Sequence, residues 1–308
     1  MEYVLLLFGF VLLIKGADFF VDGASSVATK FKIPPLVIGL TVVSLGTSAP
    51  EAAISISAAL DGSASLSLGN VVGSNMFNLL MVIGFSAMIL PIVTDDSVLK
   101  RDMPVNMAAT ALLCLMIIDG ELGRAEALVL LALFAFYLYL IVKNALEKPE
   151  PVREDKKVLH PLLALLFVVG GLIGIVWGGD LVVENAKIIA TSFGMSETLI
   201  GLTIVAIGTS LPELVTSVAA ARKGETGIAL GNAVGSCLFN SLVILGVTGV
   251  ISPLPADPAL VFDMFLLALV CVILFIFASR GKKVGRAEGI ACIALYAAYT
   301  AFITLRNY

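Results

Sequence analysis

The sequence contains an internal repeat, and this repeat constrains the fold more than any other feature. Shifting the chain by 162 residues superimposes it on itself without a gap, so that GTSAPE at 46–51 falls on GTSLPE at 208–213. GNVVGSNMFN at 69–78 likewise falls on GNAVGSCLFN at 231–240. A coincidental match of this length is very improbable, so we expect two structurally equivalent halves.

Composition places both halves in a membrane. The chain has 308 residues, of which 59% are hydrophobic and 14% are charged, whereas a soluble domain is roughly 45–50% apolar and about 25% charged. Apolar runs of about 20 residues predict membrane-spanning helices. We count ten of them, at 3–24, 35–60, 66–91, 103–119, 124–144, 161–186, 197–221, 227–252, 260–279 and 287–305.

The predicted halves are 1–146 and 163–308, joined by a linker at 147–162, and each holds five of the predicted spans. Because five is odd, the second half must enter the membrane from the opposite side. Inverted repeats with an ion site near the membrane midplane are a transporter architecture. The expected fold class is an all-α membrane protein with ten transmembrane helices in two inverted five-helix repeats.

The basic residues predict the orientation of these spans. Fifteen of the 19 Lys and Arg residues lie at the connections after spans 1, 3, 5, 7 and 9. Positive charge concentrates on the cytoplasmic side of membrane proteins. We therefore expect a cytoplasmic linker and both termini outside a cell membrane, with the apolar N-terminus retained as the first span.

Several function classes find no support in the sequence. It has no basic patch with interleaved aromatic residues, which argues against nucleic-acid binding. A single histidine, His160, argues against a multi-histidine metal site. The four cysteines lie in apolar segments without CxxC spacing and indicate no disulfide framework. No enzyme activity, cofactor or protein partner is indicated.

The two repeated motifs each place a carboxylate, Glu51 or Glu213, inside an apolar segment. A charged group at membrane depth costs at least ~2.5 kcal/mol and by default indicates function. Pro50 and Pro212 lack the N–H that a helix requires, so carbonyls around residues 44–47 and 206–209 are expected to be free. Free carbonyls at this depth must face protein, water or an ion.

Polar side chains recur at helical spacing on four of the predicted spans. Two stripes surround the glutamates, and two more follow the GN-VGS motifs, where Asn, Ser and Asn recur at i, i+4 and i+8. Carboxylates, carbonyls and hydroxyls are the ligands of hard cations. Two carboxylates neutralise one divalent or two monovalent ions, so the sequence predicts a single cation site built by both halves.

Together, the paired GTS-PE motifs, each followed by GN-VGS and Asn, resemble the two alpha repeats of the calcium/cation antiporter superfamily. The similarity is greatest to its sodium/calcium exchangers in their short prokaryotic form, and it covers essentially the whole chain. The resemblance implies exchange of several sodium ions for one calcium ion by alternating access. Calcium and sodium ions and the lipid bilayer are then the expected partners.

The resemblance also implies roles for individual residues. Glu51 and Glu213 are similar to the shared calcium and sodium carboxylates, and the carbonyls of Thr47 and Thr209 to calcium ligands. The implied flanking sodium ligands are Ser48, Ser74, Ser210 and Ser236, with the carbonyls of Ser44 and Ala206. Asn78 and Asn240 match the central polar pair.

Two residues depart from the family pattern. Cys237 stands where the first half has Asn75, so this Asn is not expected to be an essential ligand in both halves. Asn240 stands where potassium-dependent relatives have Asp, which argues against potassium coupling. A proton/calcium antiporter remains open, since a buried Glu can carry protons, and a passive cation channel is a weaker alternative.

Overall fold

The computed structural model describes residues 1–94, 96–147, 158–193 and 206–306, and these are mostly helical. The predicted linker and the start of the predicted seventh span fall largely outside the described residues. The α-helices are α1 Glu2–Phe31, α2 Pro35–Ile38, α3 Ser44–Thr47, α4 Ala49–Leu60, α5 Ser65–Phe77, α6 Ile83–Ile89, α7 Met103–Met116, α8 Arg124–Glu147, α9 Pro161–Ser192, α10 Ala206–Thr209, α11 Leu211–Arg222, α12 Thr226–Leu238, α13 Leu245–Ile251, α14 Pro258–Ser279 and α15 Arg286–Arg306.

In the part of the chain that the structure describes, four π-helical segments continue these helices, at Gly39–Val43, Asn78–Val82, Val98–Asp102 and Phe239–Ile244. Such segments are rare and frequently occur at functional sites. The second and fourth segments begin at nearly equivalent positions of the two halves, one residue apart after the 162-residue shift. They contain Asn78 and Asn240. The wider turn therefore occurs in both halves at the place where the sequence predicts ion ligands.

Seven of the described helices are long and apolar enough to cross a membrane, and the bent pair Pro35–Thr47 and Ala49–Leu60 forms an eighth candidate. The protein is therefore a multi-pass membrane protein. Of the ten predicted spans, 103–119 is not among these candidates, because α7 has 14 residues and the π-helical segment that precedes it carries three charged side chains, Lys100, Arg101 and Asp102. The span at 197–221 is not among them because part of it is outside the described residues.

Proline breaks the helix in the same way in both halves. Pro50 and Pro212 lie in the first turn of α4 and α11, where a missing N–H is tolerated. The residues before these helices, Ser48 and Ser210, leave helical geometry at φ −84°, ψ 9° and φ −94°, ψ 7°. The first pair of helices bends by 49° at this point, and the bend brings the GTS-PE side chains toward the interior.

Two short β-ladders connect the halves. β1 (Ile92–Val93) pairs antiparallel with β4 (Lys283–Val284), and β2 (Glu121–Leu122) pairs with β3 (Leu254–Pro255). Ile92 faces Val284 in one ladder, and Leu122 faces Leu254 in the other. A shift of 162 residues exchanges these two pairings. Equivalent residues of the two halves therefore make equivalent strand contacts.

Glycine allows α1 and α9 to pack closely. On α1, a Cβ at Gly16 would lie 2.8 Å from the Gly171 carbonyl oxygen of α9, and a Cβ at Gly171 would lie 2.6 Å from the Phe20 nitrogen. Small residues at such positions allow membrane helices to approach closely. α1 and α9 are equivalent helices of the two halves, and they pack against each other as a pair.

The interior core contains residues from both halves. Leu68, Phe77 and Leu80 of the first half belong to the same buried cluster as Val234 and Leu245 of the second. By contrast, many large apolar side chains of α1, α8, α9 and α14 are exposed, as expected of helices that face lipid. The helices with the repeated polar motifs lie within this shell.

Candidate functional site: a buried pair of carboxylates

The two motif carboxylates are fully buried. Glu51 lies in the first turn of α4 and Glu213 in the first turn of α11, and neither has any exposed surface. Ser48, three residues before Glu51 in the chain, contacts the carboxylate of Glu213, so the two carboxylates lie in the same region of the protein. Two buried carboxylates in such a site are unfavourable unless cations, protons or hydrogen-bond donors compensate them.

Each carboxylate accepts a hydrogen bond from the opposite half. The Ser48 hydroxyl donates to Glu213 Oε1 at 2.7 Å, and the Ser210 hydroxyl donates to Glu51 Oε1 at 3.0 Å. These serines immediately precede α4 and α11, so the two proline breaks place them at the interface of the halves. The two contacts are exchanged by the repeat, and they join the halves at the carboxylates.

A second hydroxyl reaches each carboxylate from its own half. Ser236 of α12 donates to Glu213 Oε1 at 3.4 Å, and Ser74, the equivalent residue of α5, lies beside Glu51. Both serines are buried. Four helical segments thus converge on the carboxylate pair.

Several buried oxygens of this site have no hydrogen-bond partner among the described residues. They are the second carboxylate oxygens of the two glutamates, the amide oxygens of Asn78 and Asn240, and the Thr209 hydroxyl. Buried polar atoms are normally satisfied, so such a group of acceptors requires an explanation. Hard cations take oxygen ligands of these kinds, so the donor set fits sodium or calcium.

The two threonines of the motifs differ in their contacts. The Thr47 hydroxyl lies 3.1 Å from the Val43 carbonyl oxygen and 3.0 Å from Asn232 Oδ1. Asn232 in turn donates to the carbonyl of Glu213 at 3.2 Å. Thr209, the equivalent of Thr47, has no such partner among the described residues. The site is therefore not symmetric, although the two motifs are nearly identical.

One expectation from the sequence is wrong. The Ser44 carbonyl is not free, because it accepts the Ser48 N–H at 3.0 Å. The missing N–H of Pro50 affects the carbonyl four residues earlier, which belongs to Gly46, and leaves the Ser48 donor in place. The Thr47 hydroxyl also lies 3.5 Å from the Ser44 oxygen. Ala206, its equivalent, is the first residue of α10.

Comparison with known proteins places this site in a family. The profile described as "Sodium/calcium exchanger protein" matches residues 1–143 and 163–305. The chain belongs to the sodium/calcium exchanger family. Among its members, a protein named putative antiporter CaxA of Alkalimonas amylolytica is 40% identical over 305 residues, covering 96% of this chain and 95% of the relative.

Two further members of the family are similar over nearly their full length. A protein named sodium/calcium exchanger MaX1 of Methanosarcina acetivorans is 33% identical, with 97% of each chain covered. A solved structure of the sodium-calcium exchanger NCX_Mj, soaked with zero Na⁺ and Ca²⁺, superimposes with a TM-score of 0.88 at 36% identity. That superposition covers 98% of both chains.

In the present protein, a cavity of about 720 Å³ extends to the broken helix of the second half. Thr209 and Pro212 line it, and Pro212 directly precedes Glu213 in the chain. Asp180 and Glu184 of α9 also line it. The cavity therefore lies beside the second motif and is lined by two acidic side chains, which attract cations, and by one basic side chain, Lys187.

Reasoning from the sequence missed two residues beside the site. Asn75 accepts a hydrogen bond from Asn240 at 3.2 Å and donates to the Ser241 hydroxyl at 2.8 Å. The repeat itself obscured them, because the residues equivalent to Asn75 and Ser241 are Cys237 and Leu79. The signal that could have identified them is the presence of a polar residue in one half where the other half has a less polar one.

Proposed function

We propose that this protein is a secondary antiporter that exchanges sodium ions for calcium across the membrane by alternating access. The observation that carries the proposal is the buried pair Glu51 and Glu213, each bound by a serine of the opposite half. Relatives named as sodium/calcium exchangers support the choice of ions. The protein is a transporter and not an enzyme, and the ions are its cargo.

The charge of the site explains exchange rather than leak. Two carboxylates neutralise either one calcium ion or two sodium ions, so both cargoes can be accommodated in turn. Release of the cargo leaves two buried negative charges, which is unfavourable at membrane depth. An empty carrier would therefore change sides slowly, whereas a loaded carrier would do so readily.

We assign the ligands as the family pattern implies. Calcium would be held by Glu51, Glu213 and the carbonyls of Thr47 and Thr209. Sodium would also use the hydroxyls of Ser48, Ser74, Ser210 and Ser236, with the carbonyls of Ser44 and Ala206. Asn78 and Asn240 complete the centre. Burial of these side chains, wherever they are described, and the unpartnered acceptor oxygens support this assignment.

The proposed architecture is ten spans in two inverted five-helix repeats, 1–146 and 163–308, joined by 147–162. The family profile matches in two stretches that are separated close to this linker. The exchange of the two β-ladders under the 162-residue shift also supports the repeat. Inversion follows from the odd number of spans in each half.

For orientation we propose a cytoplasmic linker and both termini outside, on the basis of the 15 basic residues on one side. Single cysteines introduced at the termini and in the linker can be tested with an impermeant thiol reagent on intact cells. We expect labelling at the termini alone. Labelling of the linker but not of the termini would contradict the orientation.

The function is tested by calcium uptake into proteoliposomes under imposed gradients of sodium, protons or potassium. We expect uptake to be saturable, driven by a sodium gradient at clamped pH, and abolished in Glu51→Gln and Glu213→Gln proteins that still fold. Uptake driven only by a proton gradient would instead indicate a proton/calcium antiporter. Calcium flux without counter-transport would indicate a channel.

A further inference from the structure

Asn75 is a buried residue of α5. The family pattern assigns it no role as a ligand, and the equivalent residue of the second half is Cys237. Only 1% of its surface is exposed. Its amide nitrogen donates to the Cys237 carbonyl at 3.4 Å and to the Ser241 hydroxyl at 2.8 Å. Its amide oxygen accepts from the Asn240 amide nitrogen at 3.2 Å. Asn75 thus connects α5 to the part of the second half that carries Asn240.

The partners of Asn75 define the direction of this hydrogen-bond chain. A backbone carbonyl such as that of Cys237 can only accept, so the nitrogen of Asn75 must face it. The oxygen of Asn75 then faces Asn240, and an oxygen requires a donor opposite it. Asn240 consequently turns its nitrogen toward Asn75 and its oxygen away, with no hydrogen-bond partner for that oxygen among the described residues.

We propose that Asn75 is a positioning residue that holds the Asn240 amide with its oxygen toward the transported cation. The inference rests on the proposed function, because it takes Asn240 to be part of the ion site. An amide with the opposite orientation would present two N–H donors to the cation instead of an oxygen. Asn75 thus strengthens binding without itself being a ligand.

The proposal explains why the two halves differ at this position. Asn78, the equivalent of Asn240, has no hydrogen-bond partner for either amide atom among the described residues. Cys237, the equivalent of Asn75, places its sulfur 3.8 Å from the Asn75 carbonyl oxygen. The amide orientation is therefore set by a hydrogen bond in one half only, at Asn240.

The test combines Asn75→Leu, which has nearly the same shape but no polar atoms, with Asn240→Asp. In the parent protein, Asn75→Leu should raise the calcium concentration for half-maximal uptake about three- to tenfold, because the productive orientation loses one hydrogen bond. In the Asn240→Asp background the same change should have almost no effect. The two oxygens of a carboxylate are equivalent and need no orientation.

Ser241→Ala is the matched control, since it removes another partner of Asn75 and keeps the bond to Asn240. It should leave the half-maximal concentration near that of the parent. An equal effect of Asn75→Leu in both backgrounds, or no effect in the parent, would overturn the proposal. If Asn75→Leu does not fold, Asn75→Ala provides the same comparison. Failure of the proposed function would appear separately, as absence of sodium-driven uptake in the unaltered protein.

Discussion

Gly231 provides a sharp test of how closely α12 must pack. A Cβ at this position would lie 2.5 Å from the Leu36 carbonyl oxygen and 2.9 Å from the Gly39 Cα. Both are backbone atoms and cannot move aside as a flexible side chain would. Gly231→Ala must therefore displace α12. This helix also contains Ser236, whose hydroxyl donates to Glu213 in the unaltered protein.

The cost can be estimated from this contact. Overpacking a well-packed interior typically costs about 1–3 kcal/mol, which corresponds to roughly a 5- to 150-fold change in an equilibrium constant. Alanine favours a helix over glycine by about 1 kcal/mol, so a change without steric conflict should be neutral or stabilising. The steric cost at Gly231 exceeds or cancels this gain.

The repeat supplies a matched control at Gly69, which is the equivalent position on α5. No described atom lies within 4 Å of a Cβ at Gly69. We expect Gly231→Ala to lower the thermal unfolding temperature in detergent and to reduce sodium-driven calcium uptake. Gly69→Ala should leave the unfolding temperature unchanged or raise it. Equal unfolding temperatures for the two variants would refute the packing argument.

Three further predictions concern single side chains. Ser48→Ala should raise the sodium concentration for half-maximal exchange roughly tenfold, because the hydroxyl oxygen that we assign as a sodium ligand beside Glu213 is lost. Hydrogen bonds from Lys100 and Lys282 lower the pKa of Asp96, in the connection after α6, to about 2. Stability from that group is present above pH ~4 and is lost as the pH falls toward 2, so Asp96→Asn should leave the pH profile of exchange from 5 to 9 unchanged. Glu184→Gln should raise the half-maximal calcium concentration at low ionic strength, with a smaller effect at high salt, when uptake rates are compared.

The carboxylates could be predicted from the sequence because the two copies of the motif can be compared with each other. Glu51 and Glu213 occur in the same motif after the same proline break, and the structure buries both in the first turn of a helix. Helix breaks of this kind depend on local chemistry, since a missing N–H acts within one turn. Local features such as these can be derived from residues alone.

Contacts between the halves could not be derived in this way. The bond between Asn75 and Asn240 depends on how α5 docks against the second half, and the repeat gives no equivalent of it. Thr47 and Thr209 illustrate the same limit, because the Thr47 hydroxyl contacts Asn232 whereas the Thr209 hydroxyl has no partner among the described residues. The Ser44 carbonyl shows that even a local effect acts on one backbone group and not on its neighbours.

Equilibrium binding of radioactive calcium to the purified protein, with increasing sodium, tests the central claim most directly. We expect a single calcium ion per chain, displaced by sodium in competition, because the two carboxylates form one site for both ions. Glu51→Gln and Glu213→Gln should each abolish this binding while the protein remains folded. Undiminished calcium binding in either variant, or binding that sodium does not displace, would contradict the shared site.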